Sequence, residues 1–244
     1  MPWDNRHLKN ITIESAKQSY EYETPFTDFD KLDDNLYNKF NFGDDSKLKI
    51  GIDKNLPFIQ ILMDKYADEW ILDSSSPNEY TTDPTINFSF PELDAFLLYA
   101  MIREHKPQNI VEIGSGQSTK VMIKALNANN QNSKLTCIEP FNDSLYELKR
   151  SYSNLTIIKD GVEHVNLSVF TDLGENDMLF IDSSHVLRPF SDVEYEYLHI
   201  LPSLNPGVLV QIHDIFYPYS YPKEWVKDWR CVLTEQQCLL MFLL

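Results

Sequence analysis

Two short motifs in the second half of the chain bring together side chains that could hold a metal ion or move a proton. They are Asp182-Ser-Ser-His185 and His213-Asp214, and each follows a short apolar run that we predict to be a β-strand. Carboxylates with one or two imidazoles suit a hard or borderline divalent cation, and a histidine held by a carboxylate equally suits a general base. A polar cluster that is merely hydrogen-bonded at strand ends is the alternative interpretation.

A glycine-rich turn lies earlier in the chain, in Ile110-Val-Glu-Ile-Gly-Ser-Gly116. Gly114 and Gly116 allow a sharp turn and a close approach of backbone to ligand, and the helix predicted to follow offers unpaired N–H groups to a negative group. A dinucleotide fingerprint would place a third glycine where this chain has Thr119. That residue and Glu112 argue against NAD and favour a cofactor with an amino acid moiety. A plain tight turn is the alternative.

Acidic residues also end the next two predicted strands. Glu139, in LTCIEP, can accept hydrogen bonds from both hydroxyls of a ribose. The Lys159-Asp-Gly-Val162 turn can line a slot for adenine, with Asp160 accepting from the exocyclic amine. An exposed strand-end carboxylate and an ordinary turn are the alternatives at these two places.

Alternating strands and helices must position these residues. Short apolar strands are predicted at 109–113, 135–139, 155–159, 178–181 and 208–212, and helices at 91–105, 118–127, 143–152, 163–170 and 190–201. This alternation predicts an α/β fold, a Rossmann-like doubly wound and mostly parallel sheet with helices on both faces. Because ligands bind at the carboxyl ends of such strands, the motifs are expected to share one crevice.

The N-terminal third of the chain differs from the rest. Residues 1–83 are rich in Asp, Asn, Lys, Tyr and Phe and have weak hydrophobic periodicity, with a helix predicted at 54–69. We interpret 1–83 as an N-terminal cap and 84–244 as the Rossmann-like domain. In residues 215–225, closely spaced aromatic residues predict either a wall for a flat substrate or the anchor of a proline-stiffened loop.

Composition narrows the classes of partner. The formal net charge of −16, without a cluster of Lys or Arg, argues against nucleic acid and against an anionic membrane surface. The three cysteines lack the spacing of a metal motif, and Cys137 lies in an apolar run, so we expect reduced thiols. The N-terminus lacks the apolar core of a signal peptide, and no apolar run is long enough to span a bilayer; we therefore expect a cytoplasmic protein.

Five motifs in order carry a family resemblance. VEIGSGQST, IEP, KDGVEHV, DMLFIDSSH and LNPGVLVQIHDIF, spread over roughly residues 86–240, resemble the class I S-adenosylmethionine-dependent methyltransferases. The resemblance is to the branch with a strand-four D-x-x-H and a strand-five HD, similar to sugar and natural-product O-methyltransferases. Such folds usually end with a sixth and an antiparallel seventh strand, whereas 234–244 predicts a final helix. Either the chain is shortened, the fold is a variant that lacks the C-terminal strand hairpin, or a partner completes the sheet.

The resemblance assigns roles to individual residues. It implies S-adenosylmethionine as cofactor and Mg²⁺ or another divalent cation as a second ligand, with Asp182 and Asp214 as metal ligands, His213 as a further candidate, and His185 as the base. The implied catalytic residues are thus His185, Asp182 and His213. An acidic pair often stands in the family where this chain has His213-Asp214. The implied cofactor-binding residues are Glu112, Gly114, Ser115, Gly116, Ser118, Glu139, Pro140, Asp160, Gly161, Val162 and Asp182.

These assignments predict an enzyme, an S-adenosylmethionine-dependent methyltransferase that methylates a hydroxyl on a sugar, glycan or natural-product intermediate. The expected partner is a small-molecule or glycan acceptor, and a homo-oligomer is left open. Two alternatives from other classes are a catalytically silent cofactor-binding or scaffold subunit and an NAD-dependent oxidoreductase. Release of S-adenosylhomocysteine would distinguish the first, and selective stabilisation by the true cofactor would distinguish the second.

Overall fold

A parallel sheet organises the computed structural model, which describes residues 32–40, 52–71, 79–83, 87 and 89–244. Within these residues the sheet has five strands in the order β3-β2-β1-β4-β5, and each adjacent pair is parallel. The strands are β1 (Asn109–Ile113), β2 (Lys134–Ile138), β3 (Leu155–Ile158), β4 (Met178–Ile181) and β5 (Leu209–Ile212). This sheet confirms the predicted Rossmann-like class. The strand order reverses at β1, since β2 and β3 lie on one side of it and β4 and β5 on the other. Sheets of this kind open a ligand crevice at that point.

Helices connect the strands and extend beyond them. The α-helical segments are α1 (Asp34–Phe40), α2 (Ile52–Tyr66), α3 (Glu92–His105), α4 (Gln117–Asn129), α5 (Leu145–Leu148), α6 (Ser168–Thr171), α7 (Asp192–Tyr195), α8 (Leu201–Ser203), α9 (Lys223–Lys227) and α10 (Glu235–Leu243). A π-helix, Glu196–Ile200, joins α7 to α8, and 3₁₀ turns occur at Ala67–Glu69 and Val162–His164.

Two predicted helices are shorter than the sequence pattern indicates. The segment 163–170 divides into a 3₁₀ turn and the single turn of α6, because the Asn166 side chain accepts a hydrogen bond from the Ser168 amide, 2.9 Å away, and so competes with the helical pattern. The Asn142 carboxamide similarly accepts from the Ser144 amide at 3.1 Å, just before α5.

Both faces of the sheet are buried along its central strands, β1 and β4. Alternate strand residues enter two different apolar clusters: Ile110 packs with residues of α3 and α4, whereas Val111 and Ile113 pack on the opposite face with Phe170 and Ile200. This alternation is what a doubly wound sheet requires, since helices cover both of its faces. The predicted reduced state of Cys137 also holds, because this buried cysteine is not in a disulfide.

The described chain forms two compact units. One comprises the described parts of Met1–Phe42 with Tyr219–Val232, and the other the described parts of Gly43–Pro218 with Leu233–Leu244. The sheet and α10 belong to the second unit. The boundary after residue 83 stays a prediction. None of the helices within the described ranges has the length and apolar character needed to cross a bilayer.

No strand follows β5 in residues 213–244, all of which the structure describes. The predicted C-terminal helix is present as α10, and β5 is an edge strand of the described sheet. The usual strand hairpin is thus absent from residues 213–244, as predicted.

Asp177 ties together the amino ends of β1 and β4. Its Oδ1 accepts from the backbone amides of Gln108 and Asn109 at 3.2 and 2.8 Å, and its Oδ2 accepts from the Asn109 carboxamide at 2.9 Å and the Gly174 amide at 3.0 Å. The residue is 6% exposed. It therefore satisfies several backbone donors at the end of the sheet opposite the crevice.

We predict that Asp177→Ala lowers the free energy of unfolding by roughly 2–3 kcal/mol, because it leaves these buried donors without an acceptor. Chemical denaturation provides the measurement. Asp172→Ala, at an exposed position, is the control and should change the free energy of unfolding by less than about 0.5 kcal/mol. Equal effects of the two substitutions would contradict this role.

Candidate functional site

The two motifs that follow β4 and β5 meet in space, as predicted. His185 Nε2 lies 3.2 Å from Asp182 Oδ1 and 3.7 Å from Asp214 Oδ2. His213 Nδ1 lies 3.3 Å from Asp182 Oδ1 and 3.6 Å from Asp214 Oδ1. Two carboxylates thus face two imidazoles at the carboxyl edge of the sheet.

The backbone is unusual at both ends of this cluster. His185 has φ 58° and Asp214 has φ 55°, in the left-handed region that non-glycine residues rarely occupy. The His185 carbonyl oxygen accepts from the amides of Thr234 and Glu235 at 2.9 and 3.1 Å, which holds this conformation. Strained conformations of this kind concentrate at functional sites, where surrounding structure maintains them.

Burial and the neighbouring carboxylates have opposite effects on the pKa of each histidine in the cluster. Burial alone would lower the pKa of His185 and of His213, but hydrogen bonds to the carboxylates outweigh it and raise each pKa to about 10. The same hydrogen bonds, from His185 and His213, overcome burial at Asp182 and lower its pKa. Burial dominates at Asp214, which lies farther from both rings, and raises its pKa. Of the two strand-end acids, Asp182 is therefore the principal partner of both imidazoles.

One group of potential metal ligands occurs in the described residues: Asp182, His185 and Asp214, each of which offers an atom within 4.8 Å of the others. Two carboxylate oxygens and one imidazole nitrogen fit Mg²⁺ or a borderline divalent cation. The group therefore includes His185, for which the resemblance implied the role of base, and not His213, which it implied as a further candidate ligand. His213 lies outside this group, its Nε2 3.5 Å from Asp94 Oδ2 and its ring 5.0 Å from the ring of Phe90.

Glu235 is a neighbour of the cluster that sequence reasoning missed. It begins α10, is 0% exposed, and places Oε2 2.6 Å from His185 Nδ1. Its Oε1 accepts from the hydroxyl of Tyr197 at 3.1 Å. The one available signal was an acidic residue in the first turn of an otherwise apolar helix, which is equally typical of an ordinary helix start.

The glycine-rich turn is shaped by the residue that follows the neighbouring strand, β4. Gly114 has φ +76°, and a Cβ atom there would lie 1.8 Å from the carbonyl oxygen of Asp182, so the position excludes any side chain. A Cβ atom on Gly116 would meet nothing within 4 Å. The first glycine therefore serves packing between β1 and β4, and the second leaves open space at the start of α4.

Thr119 occupies the position at which a dinucleotide fingerprint would have its third glycine. Its hydroxyl donates to Glu112 Oε2 at 2.7 Å and accepts from the Gly116 amide at 3.0 Å. Ser118 Oγ and Cys137 Sγ also donate to this carboxylate, at 2.6 and 3.1 Å. Glu112 is 0% exposed, and burial raises its pKa. Glu112 therefore supports the glycine-rich turn through its hydrogen bonds with Ser118 and Thr119.

Two adjoining crevices lie at this edge of the sheet. The larger has a volume of about 730 Å³ and is lined by Gly114, Glu139, Pro140, Asp160, Gly161, Val162 and Asp182, among others. The smaller, of about 180 Å³, lies at the turn, and its lining includes Ser115, Gly116 and Ser118. Both share Gly114, Glu139 and Asp182. Of the predicted cofactor residues, Glu112 alone lines neither crevice.

The two acids after β2 and β3 already have backbone partners. Glu139 Oε1 accepts from the amides of Phe141 and Asn142 at 2.7 and 3.2 Å, and its Oε2 from the Ser115 amide at 3.3 Å. Asp160 Oδ1 accepts from the Gly161 amide at 2.8 Å and lies 2.9 Å from His164 Nδ1. Backbone amides thus hold both acids at the wall of the larger crevice, and for Glu139 one of these amides belongs to the glycine-rich turn.

The aromatic residues of 215–225 do not share one environment. Tyr217 lines an apolar cleft beside β5 and α10, and neither it nor Trp225 is among the described residues that line the two crevices. In the other compact unit, Tyr221 is 4% exposed and its carbonyl accepts from the Tyr37 hydroxyl at 2.8 Å. Trp225 stacks on Trp229 with ring centroids 5.9 Å apart. For Tyr221 this favours the anchoring role.

Comparison with known proteins identifies the segment that carries the site. Residues 111–215 match a family model described as a methyltransferase domain. This segment contains Glu112, the glycine-rich turn and both strand-end motifs. The match agrees with the predicted methyltransferase resemblance over this segment.

Individual relatives are more distant. An uncharacterized protein of Archaeoglobus fulgidus is 37% identical over 95 residues, which are 37% of this chain and 42% of that protein, so the likeness spans less than half of either. A methyltransferase of Podospora anserina, solved with S-adenosylhomocysteine, has 14% identity and a TM-score of 0.43, covering 95% of this chain and 86% of that one. The O-methyltransferase TomG of Streptomyces achromogenes, solved with S-adenosylmethionine, has 17% identity and a TM-score of 0.42, covering 89% and 85%.

The two glycines of the turn should respond differently to the same substitution. Gly114→Ala forces a Cβ atom onto the Asp182 carbonyl and should lower the free energy of unfolding by roughly 2–3 kcal/mol. Gly116→Ala, the matched control, meets open space and should change it by less than about 1 kcal/mol. Chemical denaturation of both variants checks this, and a larger loss for Gly116→Ala would show that the turn is wrongly described.

Proposed function

Because residues 111–215 match a methyltransferase domain, we propose that this protein transfers a methyl group from S-adenosylmethionine to a hydroxyl of a sugar, glycan or natural-product intermediate. The observation that carries the proposal is the position of the two carboxylates and two imidazoles. Asp182 belongs to the cluster and also lines both crevices, so groups suited to proton transfer border the space suited to a cofactor.

The paired crevices fit the cofactor. The larger crevice has the volume of a typical small-molecule site and carries the ribose and adenine candidates Glu139 and Asp160. The smaller one lies at the start of α4, where Gly116 leaves room and the Ser115 hydroxyl is buried without a hydrogen-bond partner. Such an orphaned hydroxyl suits the amino acid end of the cofactor, since a buried polar group gains from a partner.

The cofactor brings a methyl group that its sulfonium already activates, so the protein's main task is positioning. On the acceptor side, His185 is the candidate base. Its Nδ1 faces Glu235, so Nε2 is the ring atom that exchanges a proton with the acceptor. Because the pKa of His185 is raised to about 10, Nε2 must first release its own proton before it can take that of the acceptor's hydroxyl. Asp182, 3.2 Å from Nε2, keeps this face of the ring towards the shared wall of the crevices.

Asp182 and Asp214 are the residues that would hold a divalent cation. A bound cation would orient the acceptor oxygen and lower the pKa of its hydroxyl. It would also offset the negative charge that now raises the pKa of His185. The two carboxylates fit such an ion, because each offers an oxygen atom within 4.8 Å of the other.

Replacing the base should separate chemistry from cofactor binding. We predict that His185→Ala lowers the release of S-adenosylhomocysteine, measured with a panel of hydroxylated acceptors, by at least ~100-fold. Binding of S-adenosylhomocysteine by calorimetry should persist, because His185 lines neither crevice. His199→Ala removes an exposed histidine and should retain full turnover. Loss of cofactor binding in His185→Ala would sink the role assigned, and a wild-type protein that binds the cofactor without turnover would favour the silent subunit.

Chelation tests the cation separately. Treatment with EDTA should abolish turnover, and added Mg²⁺ or Mn²⁺ should restore it, because the paired carboxylates then regain their ion. Asp214→Asn should weaken the restoring effect of Mn²⁺ and leave S-adenosylhomocysteine binding intact, since Asp214 lines neither crevice. If EDTA leaves turnover unchanged, the proposed cation is refuted, whereas the proposed methyl transfer is not.

A further inference from the structure

We propose that Glu235, at the start of α10, is the positioning residue that fixes the ring of His185 for proton transfer. This inference rests on the proposed function for its catalytic meaning. The contact behind it is short: Glu235 Oε2 lies 2.6 Å from His185 Nδ1. The two residues are 50 positions apart in the chain, so the contact exists only because of the fold.

The burial of Glu235 requires a partner of this kind. The residue is 0% exposed, and a carboxylate removed from water is costly unless other groups compensate it. Both of its oxygens are engaged, Oε2 by His185 and Oε1 by the Tyr197 hydroxyl at 3.1 Å. The Tyr197 hydroxyl is itself held in a buried position, so the carboxylate has little freedom to turn away from the imidazole.

This contact determines which ring nitrogen of His185 faces the two strand-end acids. An ionised carboxylate can only accept, so Nδ1 must carry a proton and donate it. Nε2 is then the ring nitrogen on the opposite side from Glu235, and it lies 3.2 and 3.7 Å from Asp182 and Asp214. A carboxylate behind a functional histidine commonly sets the tautomer and the ring orientation in this way.

The same helix start also holds the backbone of His185. The amides of Thr234 and Glu235 both donate to the His185 carbonyl, at 2.9 and 3.1 Å, and Thr234 Oγ1 accepts from the Leu187 amide at 2.7 Å. His185 has φ 58°, a conformation that needs such support. Backbone and side chain are therefore fixed from one element, which an incidental ion pair would not require.

A nuclear magnetic resonance experiment on the full chain labelled with ¹⁵N-histidine tests the proposal. The wild-type protein should show a downfield, slowly exchanging ring N–H signal, assigned to His185 by its absence in His185→Ala. Glu235→Gln should lose this signal or move it upfield, because a neutral amide is a weaker acceptor. If that variant does not fold, Glu235→Asp keeps the charge but is too short to reach Nδ1, and it should lose the signal as well.

Glu196→Gln is the matched control. Glu196 is also 0% exposed, contacts the Ser183 hydroxyl at 3.2 Å, and has a pKa raised well above its usual range by burial, so glutamine replaces a neutral acid. The His185 signal should be unchanged in this variant. The proposal is overturned if the wild type lacks the signal, if it persists unaltered in Glu235→Gln, or if Glu196→Gln loses it equally.

Calorimetry with S-adenosylhomocysteine separates this inference from the function it serves. Glu235 lines neither crevice, so Glu235→Gln should bind S-adenosylhomocysteine as the wild type does. A wild-type protein that binds none would contradict the proposed function, whereas the ring signal would still report whether Glu235 positions His185.

Discussion

The register of the parallel sheet is the constraint on which the site depends. Hydrogen bonding continues one residue beyond each of three strands: the Gly114 amide donates to Ile138, the Asp182 amide to Ile113 and the His213 amide to Ile181, at 2.9–3.0 Å. The residues that leave the strands therefore stand side by side. A shift of one strand would separate Asp182 from His213 and would place the turn against a different backbone atom.

Close packing enforces this register. The missing side chain of Gly114 lets β1 approach the carbonyl of Asp182, and the αL conformations of His185 and Asp214 then turn both motifs back over the sheet edge. Glu112 and Thr119 brace the turn from below, so the open space next to Gly116 is maintained by a buried hydrogen-bond network. Network and register together place a polar cluster beside a crevice.

The sequence allowed the sheet, its neighbouring helices and the strand-end motifs to be predicted, because all of these depend on local patterns. The approach of Asp182 to both His185 and His213 followed once the strands were taken as parallel neighbours. Strand ends were less certain: β2 and β3 stop at Ile138 and Ile158, one residue before the predicted ends. Glu139 thereby becomes a loop residue whose carboxylate binds neighbouring amides.

What could not be predicted depends on contacts between distant parts of the chain. Nothing near Glu235 in the sequence indicates that it meets His185, and Thr119 gave no sign that its hydroxyl would bridge Glu112 and Gly116. The short helices around α5 and α6 likewise reflect competition from Asn142 and Asn166, which a hydrophobic pattern does not register. Local periodicity therefore placed the elements, and tertiary hydrogen bonds determined the details of the site.

A crystal structure with S-adenosylhomocysteine and Mn²⁺, with anomalous scattering recorded for the metal, tests the central claim most directly. We expect adenosine in the larger crevice beside Glu139 and Asp160, the amino acid end at Gly116, and an anomalous peak between Asp182 and Asp214. Density for S-adenosylhomocysteine away from these crevices would contradict the proposed cofactor site. An absent or displaced manganese peak would contradict the proposed role of Asp182 and Asp214 as cation ligands.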